Sequence, residues 1–294
     1  MDETAVKETR MALRQAADHL ISSHVDLGVN REMLGLVDVL HHPTNPLPDF
    51  NYVTPRRNTA WVSGQFIRQG MTHLQAYDRV PRVEYIEGLF PPLFARTLDG
   101  LGLALEAKVP IMAYRVQPGT ALPALPVMPE GTRVETAITR RGIDLWRFVW
   151  HNAAFDVRSL GVEPLVLGQE LLAQSAAKHT DVVIYRYNFP VATIRLSVQP
   201  DNRSLHVVAA ALLREAYTPE MVTLMVASIL REAVDRGCDL VFAPGEGEED
   251  RRVLRDVGFF EAGSMVCYAA PHQEQNQNEK GEHDRVVQPV LSLR

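Results

Sequence analysis

Apolar positions recur three and four residues apart through the first 25 residues. Val6, Leu13, Ala17, Leu20 and Ile21 fall near one face with charged residues between them, a period that predicts an amphipathic helix. After Gly28 a second, short helix is expected over Arg31–Leu40. The next stretch, HHPTNPLPDFNYVTP (His41–Pro55), holds four prolines, which fix φ and remove N–H donors, so it is expected to run extended. Helical spacing returns in AWVSGQFIRQGMTHLQAYDRV. PRVEYIEG then predicts a strand, LFPPLFARTLDGLG a helix stopped by glycine, and LALEAKVPIMAYRV a longer strand. Residues 117–131, QPGTALPALPVMPEG, carry four prolines and no charge before Glu130, which marks a stiff linker.

The rear part is expected to open with a strand (Val134–Thr139) and a helix around DLWRFVWHNAAFDV capped by Asp144. A further helix follows over EPLVLGQELLAQSAAK. DVVIYRYNFPVATIRLSV predicts two strands about a turn at Asn188, and SLHVVAAALL a third, apolar enough to be central. LLREAYTPEMVTLMVASILREAVDRGCDLVFAP predicts strand, turn, helix, turn, strand. EEDRRVLRDVGF is a short helix ending at Gly258, and FEAGSMVCYAA a final strand pair or one bent strand. The segment HQEQNQNEKGEHDR is polar and expected to be disordered. These elements set out a front unit (1–116), a linker (117–131), a rear unit (132–270) and a tail (271–294).

Composition narrows the class. An apolar fraction of 46% over 294 residues allows sizeable cores, and a net charge of −6 with both signs interspersed argues against nonspecific binding to nucleic acid. Cys238 and Cys267 lie in apolar, strand-like surroundings without CxxC spacing, so buried thiols are expected rather than a disulfide, zinc site or nucleophile. That usage suits a reducing cytoplasm. No run of about 18 apolar residues occurs and the first ten residues are polar, so neither a spanning helix nor a signal peptide is expected, and the protein is expected to be soluble and cytoplasmic.

The order of the rear elements, together with FPVATIRLSV, LHVVAAALLREAYT, ILREAVDRGCDLVFAP and RRVLRDVGF, resembles the GNAT (GCN5-related N-acetyltransferase) superfamily over Arg133–Ala270. More weakly, Leu34–Val116, above all RVEYIEGLFPPLFARTLDGLGLALEAKVPIMAY, resembles the partial domain that tandem members place in front. The resemblance implies an α/β (α+β) protein of two GNAT-like units with mixed, mostly antiparallel sheets flanked by helices, the front unit incomplete. It also implies a fourth strand splayed from the fifth, leaving backbone groups of Ala210, Ala211, Leu212 and Leu213, facing Phe242 to Pro244, free to hold a pantetheine arm and a thioester carbonyl.

Two departures alter that expectation. The family's glycine-bearing pyrophosphate loop falls near Thr218–Thr223, which reads Thr-Pro-Glu-Met-Val-Thr. Thr218 is a strong N-cap and Pro219 suits the first turn, but Pro219 lacks an N–H and Glu220 places a carboxylate where the resemblance puts phosphates. In addition, the position at which many members carry a thiolate-protonating tyrosine is Leu254.

Thr218, Met221, Val222, Thr223, Phe242 and Ala243 are the remaining donor-binding candidates that the resemblance supplies. It also marks His206, at the start of the fourth strand, as a general base, against a solvent-facing edge histidine. Tyr217 is a candidate acid, against a packing residue. Tyr52, Arg56 and Arg57, in one irregular stretch, are substrate-binding candidates, the two arginines placed to clamp a carboxylate or phosphate, against solvated loop arginines. Trp146 and Trp150, four apart on a helix, belong to the core or stack on an acceptor. His41 and His42 lack a third ligand at metal spacing, so no metal is expected. The acidic stretch Gly245–Asp250 resembles no phosphate cradle.

The resemblance implies acyl transfer to a small-molecule amine from a pantetheine thioester, on coenzyme A or an acyl-carrier protein, without a tightly bound cofactor, by a monomer or homodimer. The altered loop suits specialised biosynthesis or resistance. Two alternatives stand beside it, a noncatalytic binding protein and an aminoacyl-tRNA-dependent transferase, and the net charge gives the latter little support. Membrane partners are not expected.

Overall fold

The computed structural model describes residues 3–56, 62–117, 128, 130–137, 139–153, 178–245 and 247–271. Arg57, most of the expected linker, the EPLVLGQELLAQSAAK helix up to residue 177 and the tail from residue 272 lie outside the described residues.

In chain order the elements are α1 (Glu3–Asp26), β1 (Asn30–Leu34), β2 (Val37–His41), β3 (Tyr52–Pro55), α2 (Gly64–Ala76), β4 (Arg82–Glu87), α3 (Leu93–Gly100) and β5 (Ala104–Arg115). The rear part adds β6 (Thr132–Thr136), α4 (Arg140–Asn152), β7 (His179–Arg186), β8 (Phe189–Gln199), β9 (Ser204–Leu212), α5 (Pro219–Asp235), β10 (Leu240–Pro244), α6 (Glu248–Val257) and β11 (Phe260–Ala269).

The strands form one mixed sheet in the order β1-β2-β3-β4-β11-β5-β10-β9-β8-β7-β6. Two adjacencies in it are parallel, β3 with β4 and β10 with β9. The centre of the order is an exchange. β11, the last strand of the rear half, pairs with β4 of the front half, and β5, the last strand of the front half, pairs with β10 of the rear. The two exchanged strands also pair with each other, so each half completes the other's sheet.

Two local expectations are corrected. Arg31–Leu40 is a hairpin rather than a helix. Val37 and Val39 point into the core beneath α2 while Leu40 joins a separate cluster beside α1, the two-residue alternation of a strand. Its turn needs glycine twice over, because Gly35 has φ +60° and a Cβ there would stand 2.3 Å from the Phe66 ring. Asp144 is not the cap of α4. Thr139 takes that role, accepting from the Gly142 N–H at 3.2 Å, and Asp144 falls within the helix. Of the two alternatives for FEAGSMVCYAA the structure has the single strand, with two register irregularities. The turn at Asn188 is as expected, with Tyr187 and Asn188 both at positive φ between β7 and β8.

Side-chain alternation assigns the helices to faces. Ala12, Leu13, Ala16 and Leu20 of α1 pack on Ile86, Ile111, Leu240 and Phe242, so α1 lies across the middle of one face, while Val6 of the expected apolar stripe is 46% exposed. α2 and α3 cover Val53, Val83 and Tyr85 on the other face, and α5 and α6 cover Ile194, Leu196 and Val241 there. No helix among the described residues is long and apolar enough to cross a membrane. Cys238 and Cys267 are buried free thiols, both with pKa values raised by burial.

Candidate functional site

The rear parallel pair is a fork. β9 and β10 are in register at Leu240 with Ser204, Val241 with Leu205 and Phe242 with His206, and the pairing ends there although β9 continues to Leu212. A bulge explains the parting. Arg195 of β8 faces Ala209 and Leu196 faces Val207, which leaves Val208 as an extra residue in β9 immediately past the last shared register. A bulged strand bends and twists more strongly, and here the bend carries β9 away from β10.

The gap opens into a slot of about 120 Å³ between the fork and the two covering helices. Val207, Ala210, Ala211 and Leu212 line it from β9, and Ala243 and Pro244 from β10. Val222, Met225, Val226 and Ile229 line it from α5, an i, i+3, i+4, i+7 stripe, and Val253 and Leu254 from α6. The walls are therefore almost wholly apolar. Polar groups gather at one place, where Tyr217, Glu249 and Asp250 meet and the Tyr217 hydroxyl donates to Glu249 Oε1 at 3.4 Å. Burial raises the Asp250 carboxyl above its ordinary pKa.

The turn leading into α5 is already saturated. The Thr218 hydroxyl accepts from the Met221 N–H at 3.2 Å, the Thr218 carbonyl accepts from Val222 at 3.1 Å, and Pro219 has no N–H to give. That leaves the N–H of Glu220 to face an anion, on a residue that is itself an exposed carboxylate.

Of the donor-binding candidates, Ala210, Ala211, Leu212, Val222 and Ala243 line the slot, and Tyr217 stands at its rim. The others are elsewhere. Phe242 belongs to the closed apex of the fork and Met221 to the core. Leu213 lines a different cavity, beside Phe148 and Phe189, and its N–H donates to Val191. Thr218 is occupied as the cap, and the Thr223 hydroxyl donates back to the Pro219 carbonyl at 2.8 Å. Leu254 does line the slot. Val207 of β9 was missed from the sequence, as were Met225, Val226, Ile229 and Val253, whose helical spacing from Val222 and Asp250 is the signal that would have found them.

His206 neither faces solvent nor borders the slot. It is 3% exposed on the α1 face, its ring stacked on Phe242 with centroids 4.6 Å apart, and its Nε2 has no hydrogen-bond partner among the described residues. Burial, reinforced by His24, lowers its pKa to about 3. It belongs to a buried polar layer under α1. His19 shares its ring nitrogens with Ser204 at 2.6 Å and Ser197 at 3.1 Å, and His24 bonds the Tyr52 hydroxyl at 2.8 Å. Burial lowers the pKa of His19 as well, and that of His24 to about 4.

Tyr52 is thus buried, but one side of it, with Arg56, lines a second cavity of about 410 Å³ in the front half. Trp146 is fully buried, stacked on Trp150 at 5.4 Å and capped by the Arg195 guanidinium at 4.2 Å, so it serves the core, and neither ring borders the slot. Arg195, also fully buried, is held in a bidentate pair by Asp181, Nε to Oδ1 at 2.7 Å and a terminal nitrogen to Oδ2 at 2.5 Å. His41 bonds Glu32 and stacks on Tyr77, while His42 accepts from backbone N–H groups of Thr44 and Asn45.

A mixed sheet with a bulged fourth strand parted from a parallel fifth, covered on one face by the helices that follow each of those two strands, is the fold of the GCN5-related N-acetyltransferases. Solved structures agree. The chain is similar to a GCN5-related N-acetyltransferase from Kribbella flavida, with 17% identity, a TM-score of 0.68, and coverage of 88% of this chain and 95% of that one. It is similar to a tandem GNAT protein from the clavulanic acid biosynthesis pathway (11% identity, TM-score 0.55, 79% and 77% covered) and to a GCN5-related N-acetyltransferase from Sphaerobacter thermophilus (12%, 0.53, 81% and 81%). No protein-family model and no curated protein sequence matches the chain.

Proposed function

We propose that the rear slot takes the pantetheine arm of a thioester and that the protein transfers its acyl group to an amine. The observation that carries this is the parting of β9 from β10 after the His206–Phe242 register, because the backbone groups of residues 207–212 that face β10 have no strand partner there among the described residues. Such groups hold an amide-bearing arm as a strand would, and an N–H among them stabilises the oxyanion formed when the amine attacks. The amine nitrogen bonds the carbonyl carbon, the C–S bond breaks, and the departing sulfur takes up a proton. Solvent supplies it, since Tyr217 stands with Glu249 and Asp250 at the rim, away from the sulfur end of the arm. His206 is assigned no proton step, since an imidazole that titrates near 3 does not collect protons at neutral pH; the amine enters neutral and its proton passes to water.

The rim favours a donor recognised by its pantetheine arm. Glu220, Glu249 and Asp250 lie where a 3′-phospho-ADP group would emerge, beside a helix start with one spare N–H, so the phosphates of coenzyme A add little to binding. An acyl-carrier protein or a simple acyl-pantetheine then serves as well as acyl-CoA. Thermal shift with S-acetylpantetheine, acetyl-CoA and a holo-carrier protein tests this. Acetylpantetheine is expected to stabilise the chain, with acetyl-CoA binding no more than tenfold tighter. A hundredfold preference for acetyl-CoA would overturn the account of the rim. Indifference to all three would leave a noncatalytic binding protein. Thiol release on adding amines then reads the transfer itself.

A further inference from the structure

The cavity of the front half holds chemistry that the rear slot does not use. It lies under α1 at the other fork, where β3 and β4 share the single parallel register Val53 with Val83. Asp38 of β2 and Glu84 of β4 line it and are 1% and 5% exposed. Both sit on the α1 face, as does Tyr52, since their neighbours Val37, Val39, Val53, Val83 and Tyr85 pack against α2 and α3.

The two carboxyls differ in how far they are satisfied: Glu84 has Arg82 and the Cys267 thiol as partners, and Asp38 has one oxygen left over. Arg31 holds Asp38 Oδ2 through Nε at 3.1 Å and a terminal nitrogen at 2.6 Å, but Oδ1 has no hydrogen-bond partner among the described residues, with Arg56 Nε 3.8 Å away. Glu84 has Arg82 Nε at 3.5 Å, and Arg82 also serves Glu106 at 3.0 Å and Asp49 at 3.8 Å. Burial, opposed by Arg82, lifts the Glu84 carboxyl to about 8, so at neutral pH it carries a proton that a neighbouring cation would displace. A buried acceptor without a donor, as Asp38 Oδ1 is among the described residues, is rare in native proteins and points to a missing partner.

We propose that this cavity binds a small molecule bearing a protonated primary amine on an aliphatic stem, the ammonium donating to Asp38 Oδ1 and the Glu84 carboxyl. An ammonium brings three donors and no acceptor, which matches the oxygens of Asp38 and Glu84 beside Thr54, while Arg31 and Arg56 on the same lining offset only part of that demand through Asp38. Leu20, Ile86 and Leu89 provide the apolar wall for the stem. A metal ion is the poorer match, because no group of three ligating side chains occurs among the described residues. The inference stands apart from acyl transfer in the rear slot, and it is tested without a thioester.

The probe is n-butylamine hydrochloride at neutral pH and constant ionic strength, titrated into the full chain by calorimetry, with n-butanol as the uncharged control. The amine is expected to bind and the alcohol not to. Glu84→Gln and Asp38→Asn are each expected to weaken the amine at least tenfold while leaving the response to S-acetylpantetheine unchanged. Equal behaviour of amine and alcohol, or variants that bind the amine like the wild type, would overturn the proposal. Because either variant can fail to fold, wild-type crystals soaked in the amine give a second measurement. Density against Asp38 and Glu84 supports the site, and density only elsewhere, or none, overturns it.

Discussion

At the scale of single residues the molecule is marked by ionisable groups held in the wrong solvent. His24, His179 and His206 titrate near 4, 4 and 3 in the folded chain against 6.5 when unfolded, mainly through burial, and His19 shifts the same way. Below pH 6.5 the unfolded chain therefore binds protons that the folded one refuses, and each histidine removes about 1.4 kcal/mol of stability per pH unit until its folded pKa is reached. Glu84 has the opposite sign. Its folded pKa of about 8 exceeds the unfolded 4.5, so its contribution is fully present below 4.5 and is lost as pH rises through 8. Four histidines outweigh one carboxyl below 6.5, and between 6.5 and 8 Glu84 dominates. Urea unfolding is expected to show a stability maximum near pH 6.5, with Glu84→Gln flattening the decline above it; stability that rises steadily from pH 5 to 8 would contradict these assignments. The Asp181–Arg195 pair gives a second expectation. Asp181→Ala strands a fully buried guanidinium and is expected to cost about 3–5 kcal/mol, read by chemical unfolding.

At the scale of elements, the fork depends on one extra residue. Val208 bends β9 beyond the three registers that bind it to β10, and the stripes of α5 and α6 roof the gap without filling it. Ala210 is small where it meets the slot. Ala210→Leu places a branched side chain there and is expected to weaken S-acetylpantetheine binding more than tenfold while moving the melting temperature by only a few degrees, because the new methyl groups enter open space rather than packed core. A loss of stability without a loss of binding would place Ala210 in the core and not on the slot. Much of this was legible locally. The cap at Thr218, the apolar fourth strand and the helix over Pro219–Asp235 follow from capping and periodicity. The hairpin at Arg31–Leu40 was not, because a two-residue alternation of five positions is too short to outvote helical spacing until β3 is present to pair with β2.

At the scale of the whole molecule, the exchange of β5 and β11 makes the halves interdependent. Removing the rear half takes β10 and β11 from β5 and leaves β4 without β11; removing the front half exposes both edges of β11 and one of β10. Fragments 1–116 and 132–271 expressed separately are expected to be unfolded by circular dichroism and to regain β-structure when mixed. An independently folded, cooperative front fragment would show that the exchange is dispensable. α1 reinforces the coupling, since it belongs to the front half and packs on Leu240 and Phe242 of the rear.

The sequence by itself determined most of the periodic elements, the fold through its likeness to a known superfamily, and the absence of glycine at the start of α5, because periodicity, capping and loop composition are local properties that need no partner. Only the tertiary structure decided that His206 lies beneath α1 rather than at a solvent-facing edge, that Phe242 closes the fork while Ala243 opens it, and that Asp38 and Glu84 meet in one cavity. Burial, register and the pKa values they set are relations between residues far apart in the chain, and they come into being when the sheet pairs.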